Sequence, residues 1–222
     1  AAREGGFGPR LGVRINGLDT PWGADDLTAL QDAPVDLIVA PKVKSAAMVR
    51  ALSEGMRPGV ALWAMIETPR ALVDLRDIAE ADGALSGLML GVNDLAKDLK
   101  TGASPDREPL KPWLAAVVAH ARANGLSVID GVFNRIQDEA GFKAECAQGR
   151  LYGFDGKSLI HPSQIEGANA AFGASVEEIE WARKVVAAFA APEAEGLGVI
   201  RVEGEMVERL HLQQALDLLA DL

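Results

Sequence analysis

The sequence predicts an α/β fold of parallel strands joined by crossover helices. Three observations carry this prediction. Short aliphatic and β-branched runs alternate with longer amphipathic segments. The runs show little internal alternation, as strands covered on both faces should. Helix start and stop signals punctuate the stretches between them. Six strands are predicted, at residues 11–16 (LGVRIN), 35–42 (VDLIVAPK), 59–67 (GVALWAMIE), 85–94 (LSGLMLGVND), 125–131 (GLSVIDG) and, with a weaker pattern, 152–160 (YGFDGKSLI).

The helices between them follow from their own end signals. Thr68 supplies a capping hydroxyl before Pro69 at the first helical position, and ALVDLRDIAEA then continues at helical spacing. Pro109 and Pro112 open LKPWLAAVVAHARANG, and Gly125 stops it. Ser163 with Glu166, and Ser175 with Glu178, have capping-box spacing. Six strand–helix units fill residues 11–162. A closed eight-stranded barrel of usual size wants roughly two more. Beyond residue 162 the pattern turns helical, with a loop at APEAEGLGVIRVEGE and a closing helix through MVERLHLQQALDLLADL. The expected organisation is an N-terminally incomplete (β/α) barrel over residues 1–165 and a C-terminal helical extension over 166–222.

Composition narrows the function classes. The chain has 222 residues, 49% hydrophobic and 24% charged, enough for one sizeable core. A formal charge of −10, spread along the chain, argues against nucleic acid as a partner. No window approaches the roughly 18 apolar residues of a membrane span. The start, AAREGGFGPR, lacks the apolar core of a signal peptide. A cytoplasmic protein is therefore expected. Cys146 is the single cysteine, which excludes an internal disulfide and argues against redox chemistry or a cysteine zinc site.

In a parallel barrel the strand carboxyl ends converge on one mouth. The predicted ends carry Arg14 and Asn16, Lys42, Glu67, Asn93 and Asp94, Asp130 and Asn134, and Asp155 with Lys157. Glu67 and Asp94 close adjacent strands, and a hard cation such as Mg²⁺ is held by one or two carboxylates plus waters and substrate oxygens. Each also has a purely structural reading: Asp94 as the N-cap of DLAKDL, Glu67 as an acid favoured near a helix start. Arg14 suits bidentate capture of a carboxylate or phosphate, or equally an inter-loop ion pair. His120, His161 and His211 form no recognisable triad with Ser and Asp. Glycine-rich phosphate loops are absent, and without HxxxH or CxxC spacing zinc has little support.

Five blocks, VRINGLDTPWGADDL, IVAPKVKSAAMV, WAMIETPRAL, LMLGVNDLAKDL and GFDGKSLIHPSQI, in this order and spacing resemble the CoA-ester lyases of the citrate lyase β-subunit group, within the HpcH/HpaI aldolase/citrate lyase superfamily. The resemblance runs from about residue 11 to the C-terminus. It implies a TIM-type (β/α)8 barrel, a cytoplasmic homo-oligomer (trimer or hexamer), Mg²⁺ dependence and a CoA thioester as substrate. It also places metal ligation on Glu67 and Asp94, and the grip on the substrate carboxylate on Arg14. Three departures stand out. The family's two preceding strand–helix units, one with an acidic LDLED-like segment, have no match here. PKVKS replaces PKVES, so Lys44 reverses a charge. GEMVERLH stands where relatives read GKMID, with an Asp reaching a neighbouring subunit's active site, and this puts Glu208 in that catalytic place.

The resulting expectation is an oxo-acid lyase that cleaves or forms malyl-CoA, citramalyl-CoA or a citryl thioester by a retro-Claisen route. Catalysis would rest on Arg14 and Glu208. Two alternatives share the fold: a Mg²⁺-dependent 2-keto-3-deoxy acid aldolase releasing pyruvate, and a non-catalytic assembly or ligand-binding subunit.

Overall fold

A computed structural model describes Gly5, Gly6, residues 8–220 and Leu222. The chain forms two compact units, the first ending at Ala171 and the second beginning at Phe172. The first unit alternates strand and helix: β1 (Gly12–Arg14), α1 (Gly23–Ala29), β2 (Leu37–Ala40), α2 (Ala46–Gly55) and β3 (Ala61–Ile66). Two short helices, α3 (Pro69–Val73) and α4 (Leu75–Ala79), lead to β4 (Leu85–Leu90) and α5 (Val92–Leu99). Then come α6 (Lys111–Ala123), β5 (Ser127–Asp130), α7 (Glu139–Tyr152), β6 (Gly156–Lys157) and α8 (Ile165–Phe172). All six expected strands are present, each shorter than its apolar run, and they form one curled parallel sheet in the order β1–β2–β3–β4–β5–β6.

Strand alternation explains what faces what. Gly12 and Arg14, Leu37 and Val39, Met65 and Glu67, and Met89 line one cleft. The residues between them, Ile38, Ala40, Leu62, Ala64, Ile66 and Leu88, are buried. Because side chains alternate with a period of two, the in-register pairing of Arg14 with Val39 and of Val39 with Trp63 puts Arg14 and Glu67 on the same face.

The helix end signals fare unevenly. Thr68 caps α3 as expected, its hydroxyl accepting from the Ala71 N–H at 3.1 Å with Pro69 at the first position. The Ser163–Glu166 capping box does not form. His161 caps a single 3₁₀ turn over Pro162–Gln164 instead, its Nδ1 accepting from the Ser163 N–H at 3.2 Å, which uses Ser163 before it can act as a cap.

In the second unit, α9 (Val176–Ala190) opens with the predicted reciprocal box between Ser175 and Glu178. The segment expected as a loop is an antiparallel hairpin, β7 (Val199–Val202) with β8 (Glu205–Glu208). VIRV and EMVE carry few turn residues except the Glu203–Gly204 corner, both with left-handed backbone (φ 50° and 92°), and that corner closes a two-residue connection. The closing helix α10 accordingly starts at Arg209 and not at Met206, and runs to Ala220. Asp221, which the sequence reading includes in it, lies outside the described residues. Ala182, Val185, Val202, Val207 and Ala215 form this unit's own core.

A buried ionic cluster ties the last strands of the sheet together. Asp130 at the end of β5 accepts from Arg107 Nη1 at 2.7 Å, from Lys157 Nζ at 2.9 Å and from the Gly131 N–H at 2.7 Å. Lys157 also donates to Glu145 on α7 at 2.7 Å. Arg107 further donates to Gln148. Two cations and two anions balance, and every donor finds a partner, which is what a charged cluster needs to survive burial. Removing one cation leaves a buried carboxylate underpaired. Lys157→Met should therefore lose roughly 3–5 kcal/mol of stability in urea unfolding. A loss under about 1 kcal/mol would show that the cluster is solvated in solution.

Candidate functional site

The cleft at the carboxyl ends of the first four strands encloses about 490 Å³ and collects Arg14, Glu67 and Asp94 on one wall system. Its floor is apolar, from Leu37, Val39, Met65 and Met89, and its far side comes from Val132 and from Ser158, Leu159 and Ile160 after β6. Arg14 closes β1 and Glu67 follows β3 directly. Asp94 stands in the first turn of α5, where Gly91 is the cap and makes no side-chain bond. Asp94 therefore neither ends a strand nor caps the helix. It is an acid facing the positive end of the helix dipole, with its Oδ1 4.0 Å from Lys42 Nζ.

Glu67 is the chemically distinctive residue. It is only 4% exposed. Its Oε1 accepts from the Lys42 backbone N–H at 2.8 Å. Burial raises its pKa above the usual carboxylate range, and the negative charge of Asp94 adds to this; the Lys42 amide and the charges of Lys42 and Arg14 pull the other way. The backbone opposite is shaped to the carboxyl: a Cβ on Gly91 would come within 2.5 Å of Glu67 Oε2. A side chain there would expel Glu67, so the glycine is a condition of the site.

These residues fit a hard divalent cation. The charge of Asp94 adds to the cost of ionising Glu67, and a cation between the two carboxylates would relieve it. Among the described residues no group of three or more His, Cys, Asp or Glu converges. A two-carboxylate set suits Mg²⁺, which keeps several waters, and not zinc.

The other residues singled out in the sequence are dispersed or occupied. Asn93 and Asn134 hydrogen-bond each other reciprocally, at 3.2 and 2.7 Å. Asp130 and Lys157 are spent in the buried cluster, and Asp155 pairs with Arg122. Lys44 lies 3.4 Å from Asp19, so the reversed charge is met by a local acid. Asn16 bonds Asp26 at 2.9 Å. Glu208 ends β8 in the second unit, its N–H donating to His211 Nδ1 at 2.9 Å. Burial pushes the Cys146 thiol up to about 11, in keeping with an inert core residue.

Sequence reading missed two features. Arg107 has no motif around it, and its left-handed backbone (φ 58°) gives no reliable pattern in the sequence. It also lines a second cleft, with Glu145 and Phe133, that shares Val92, Asn93 and Val132 with the first. Lys42 is among the predicted strand ends, but nothing in the sequence shows that its backbone amide is the hydrogen-bond donor to Glu67.

Fold and site together define a class: an α/β protein whose sheet presents, at the carboxyl ends of its strands and the helix start that follows, a carboxylate pair and an arginine over an apolar floor. The HpcH/HpaI aldolase/citrate lyase family model matches residues 6–162, and the chain belongs to that family. A (3S)-malyl-CoA thioesterase of Cereibacter sphaeroides is 47% identical over 208 residues, covering 94% of this chain and 72% of the relative. The citrate lyase subunit beta of Escherichia coli is 35% identical over 206 residues, covering 88% and 68%. Among solved structures, the CitE protein of Mycobacterium tuberculosis in complex with magnesium, acetoacetate and coenzyme A superposes with a TM-score of 0.76 at 32% identity, covering 94% of this chain and 76% of that one.

The Glu67 environment makes a pH prediction. The folded protein holds the Glu67 proton more tightly than the unfolded chain, so ionising this group costs stability as pH rises from the ordinary glutamate range through its raised folded pKa. Glutamine does not titrate and keeps the acceptor for Lys42. In chelator, Glu67→Gln should melt at or above wild type at neutral pH, and this advantage should shrink as pH falls through that window. A variant that melts below wild type at neutral pH would contradict the burial argument.

Proposed function

We propose that this chain is a Mg²⁺-dependent carbon–carbon lyase acting on a 3-hydroxyacyl-CoA of the malyl-CoA, citramalyl-CoA or citryl type. The observation that carries the reading is the convergence of Arg14, Glu67 and Asp94 on one cleft of about 490 Å³. Glu67 and Asp94 would hold the metal, which supplies Lewis-acid polarisation to a chelating hydroxy acid. The complex of the Mycobacterium tuberculosis relative with magnesium and coenzyme A supports both the cofactor and the substrate class.

In this reading Arg14 grips the substrate carboxylate through its planar guanidinium, which fixes the reacting carbons relative to the cleft wall. The apolar floor of Leu37, Val39, Met65 and Met89 excludes water and strengthens charge interactions at the rim. In cleavage the hydroxyl loses its proton and becomes the carbonyl of the keto acid. The bond to the carbon beside the thioester breaks, and its electron pair passes to the thioester enolate, which takes up a proton to give acetyl-CoA. By the family resemblance, Glu208 would be the acidic group offered to a neighbouring subunit's active site. The six strands belong to an eight-stranded barrel, and the chain works as a cytoplasmic homo-oligomer. No described helix is long and apolar enough to cross a membrane.

A second reading, hydrolysis of the thioester, draws on the 47% identity to malyl-CoA thioesterases. Incubation of purified protein with malyl-CoA or citramalyl-CoA and Mg²⁺ separates the two: acetyl-CoA with a keto acid supports the lyase, and free CoA with the intact hydroxy acid supports hydrolysis. Pyruvate released from a CoA-free hydroxy-keto acid, with no action on the thioesters, would overturn both in favour of an aldolase. Glu67→Ala and Asp94→Ala should each lower kcat/KM by at least about a hundredfold, since lost partners of metal ligands alone cost up to that much. Glu208→Gln should lower kcat while leaving the Mg²⁺ dissociation constant unchanged in calorimetric titration.

A further inference from the structure

Lys42 occupies an unusual place in this cleft. Its backbone is left-handed, with φ 51°. For a residue other than glycine this conformation is strained, and glycine would relieve the strain. Its N–H donates to Glu67 Oε1 at 2.8 Å, and any residue except proline could make that bond. The side chain must then explain why a lysine stands here. Its Nζ lies 4.0 Å from Asp94 Oδ1, with both side chains about half exposed and free to part. One residue thus touches both carboxylates, Glu67 through its amide and Asp94 through its ammonium.

Charge counting gives the consequence. Glu67 and Asp94 bring two negative charges to the cleft, and Arg14 and Lys42 bring two positive ones. A divalent cation approaching the pair therefore meets a balanced set of charges with an ammonium near the position it needs. An anionic 2-keto acid arriving with the cation supplies a new partner for that ammonium.

We propose that the Lys42 ammonium is a built-in competitor of the divalent cation: it holds cation affinity low in the empty cleft and releases Asp94 when an anionic substrate enters, so that cation and substrate bind cooperatively. This rests on the reading of Glu67 and Asp94 as the cation ligands. It adds an order of assembly, in which the site loads with both ligands together and stays charge-neutral when empty.

Calorimetric titration of the purified protein with Mn²⁺, with and without pyruvate, tests it in wild type, Lys42→Gly and Lys42→Arg. Glycine keeps the amide and accepts the left-handed backbone, and it removes the side chain together with its ammonium. Lys42→Gly should bind Mn²⁺ about tenfold tighter than wild type without pyruvate, the factor Coulomb's law gives for divalent and monovalent cations roughly 6 Å apart in water. The tightening by pyruvate expected in wild type should shrink in Lys42→Gly and persist in Lys42→Arg. Equal or weaker Mn²⁺ binding by the glycine variant, with wild type binding normally, overturns the competitor role and leaves the metal site standing. No Mn²⁺ binding by any of the three overturns the metal site itself. Should Lys42→Gly unfold in the calorimeter, Lys42→Asn, which also tolerates this backbone, serves with the same two outcomes.

Discussion

The site depends on a single arrangement: a glutamate carboxylate held almost out of water at the end of one strand, with a backbone amide from the neighbouring strand's end donating to it. Ionising Glu67 there costs free energy, because burial raises its pKa. The Lys42 amide offsets part of that cost. Reaching it requires the chain after β2 to turn through a left-handed residue, and the facing wall must be a glycine, Gly91, to leave room for the carboxyl. Three successive strand ends are thereby committed to one oxygen pair.

The other half of the sheet is fixed by different means. Arg107, Asp130, Glu145 and Lys157 form a neutral, fully bonded cluster beneath the loops that follow β5 and β6. Those loops supply Val132 and Ser158 to the cleft wall. One side of the cleft thus rests on a saturated charge network, which is rigid because any displacement leaves a buried charge unpaired. The opposite side carries charges near solvent, Lys42 and Asp94, that can exchange partners. The two sides of the cleft thus differ: a buried charge network underlies one, and a solvent-exposed ion pair stands at the other.

Much of this was legible in the sequence. The six strands read correctly because buried parallel strands leave unmistakable apolar runs, and Thr68 with Pro69 and Ser175 with Glu178 read correctly because capping is local. Arg14, Glu67 and Asp94 could be chosen because each sits at or just past an apolar run, where the carboxyl end of a strand must be. The errors came where two local signals competed. Ser163 had the spacing of a cap but lost to His161, two residues earlier. VIRV and EMVE were too short and too polar to announce a hairpin beside two strong helices.

Membership of the HpcH/HpaI aldolase/citrate lyase family, the strand order and the identity of the cleft residues were therefore set by the chain itself, through patterns that need only nearest neighbours along the sequence. The tertiary structure decided the rest. Residues distant in the chain carry the burial of Glu67, the pairing of Lys42 with Asp94 and the cluster around Asp130. Desolvation and charge balance depend on what surrounds a group in space, and no local pattern records that.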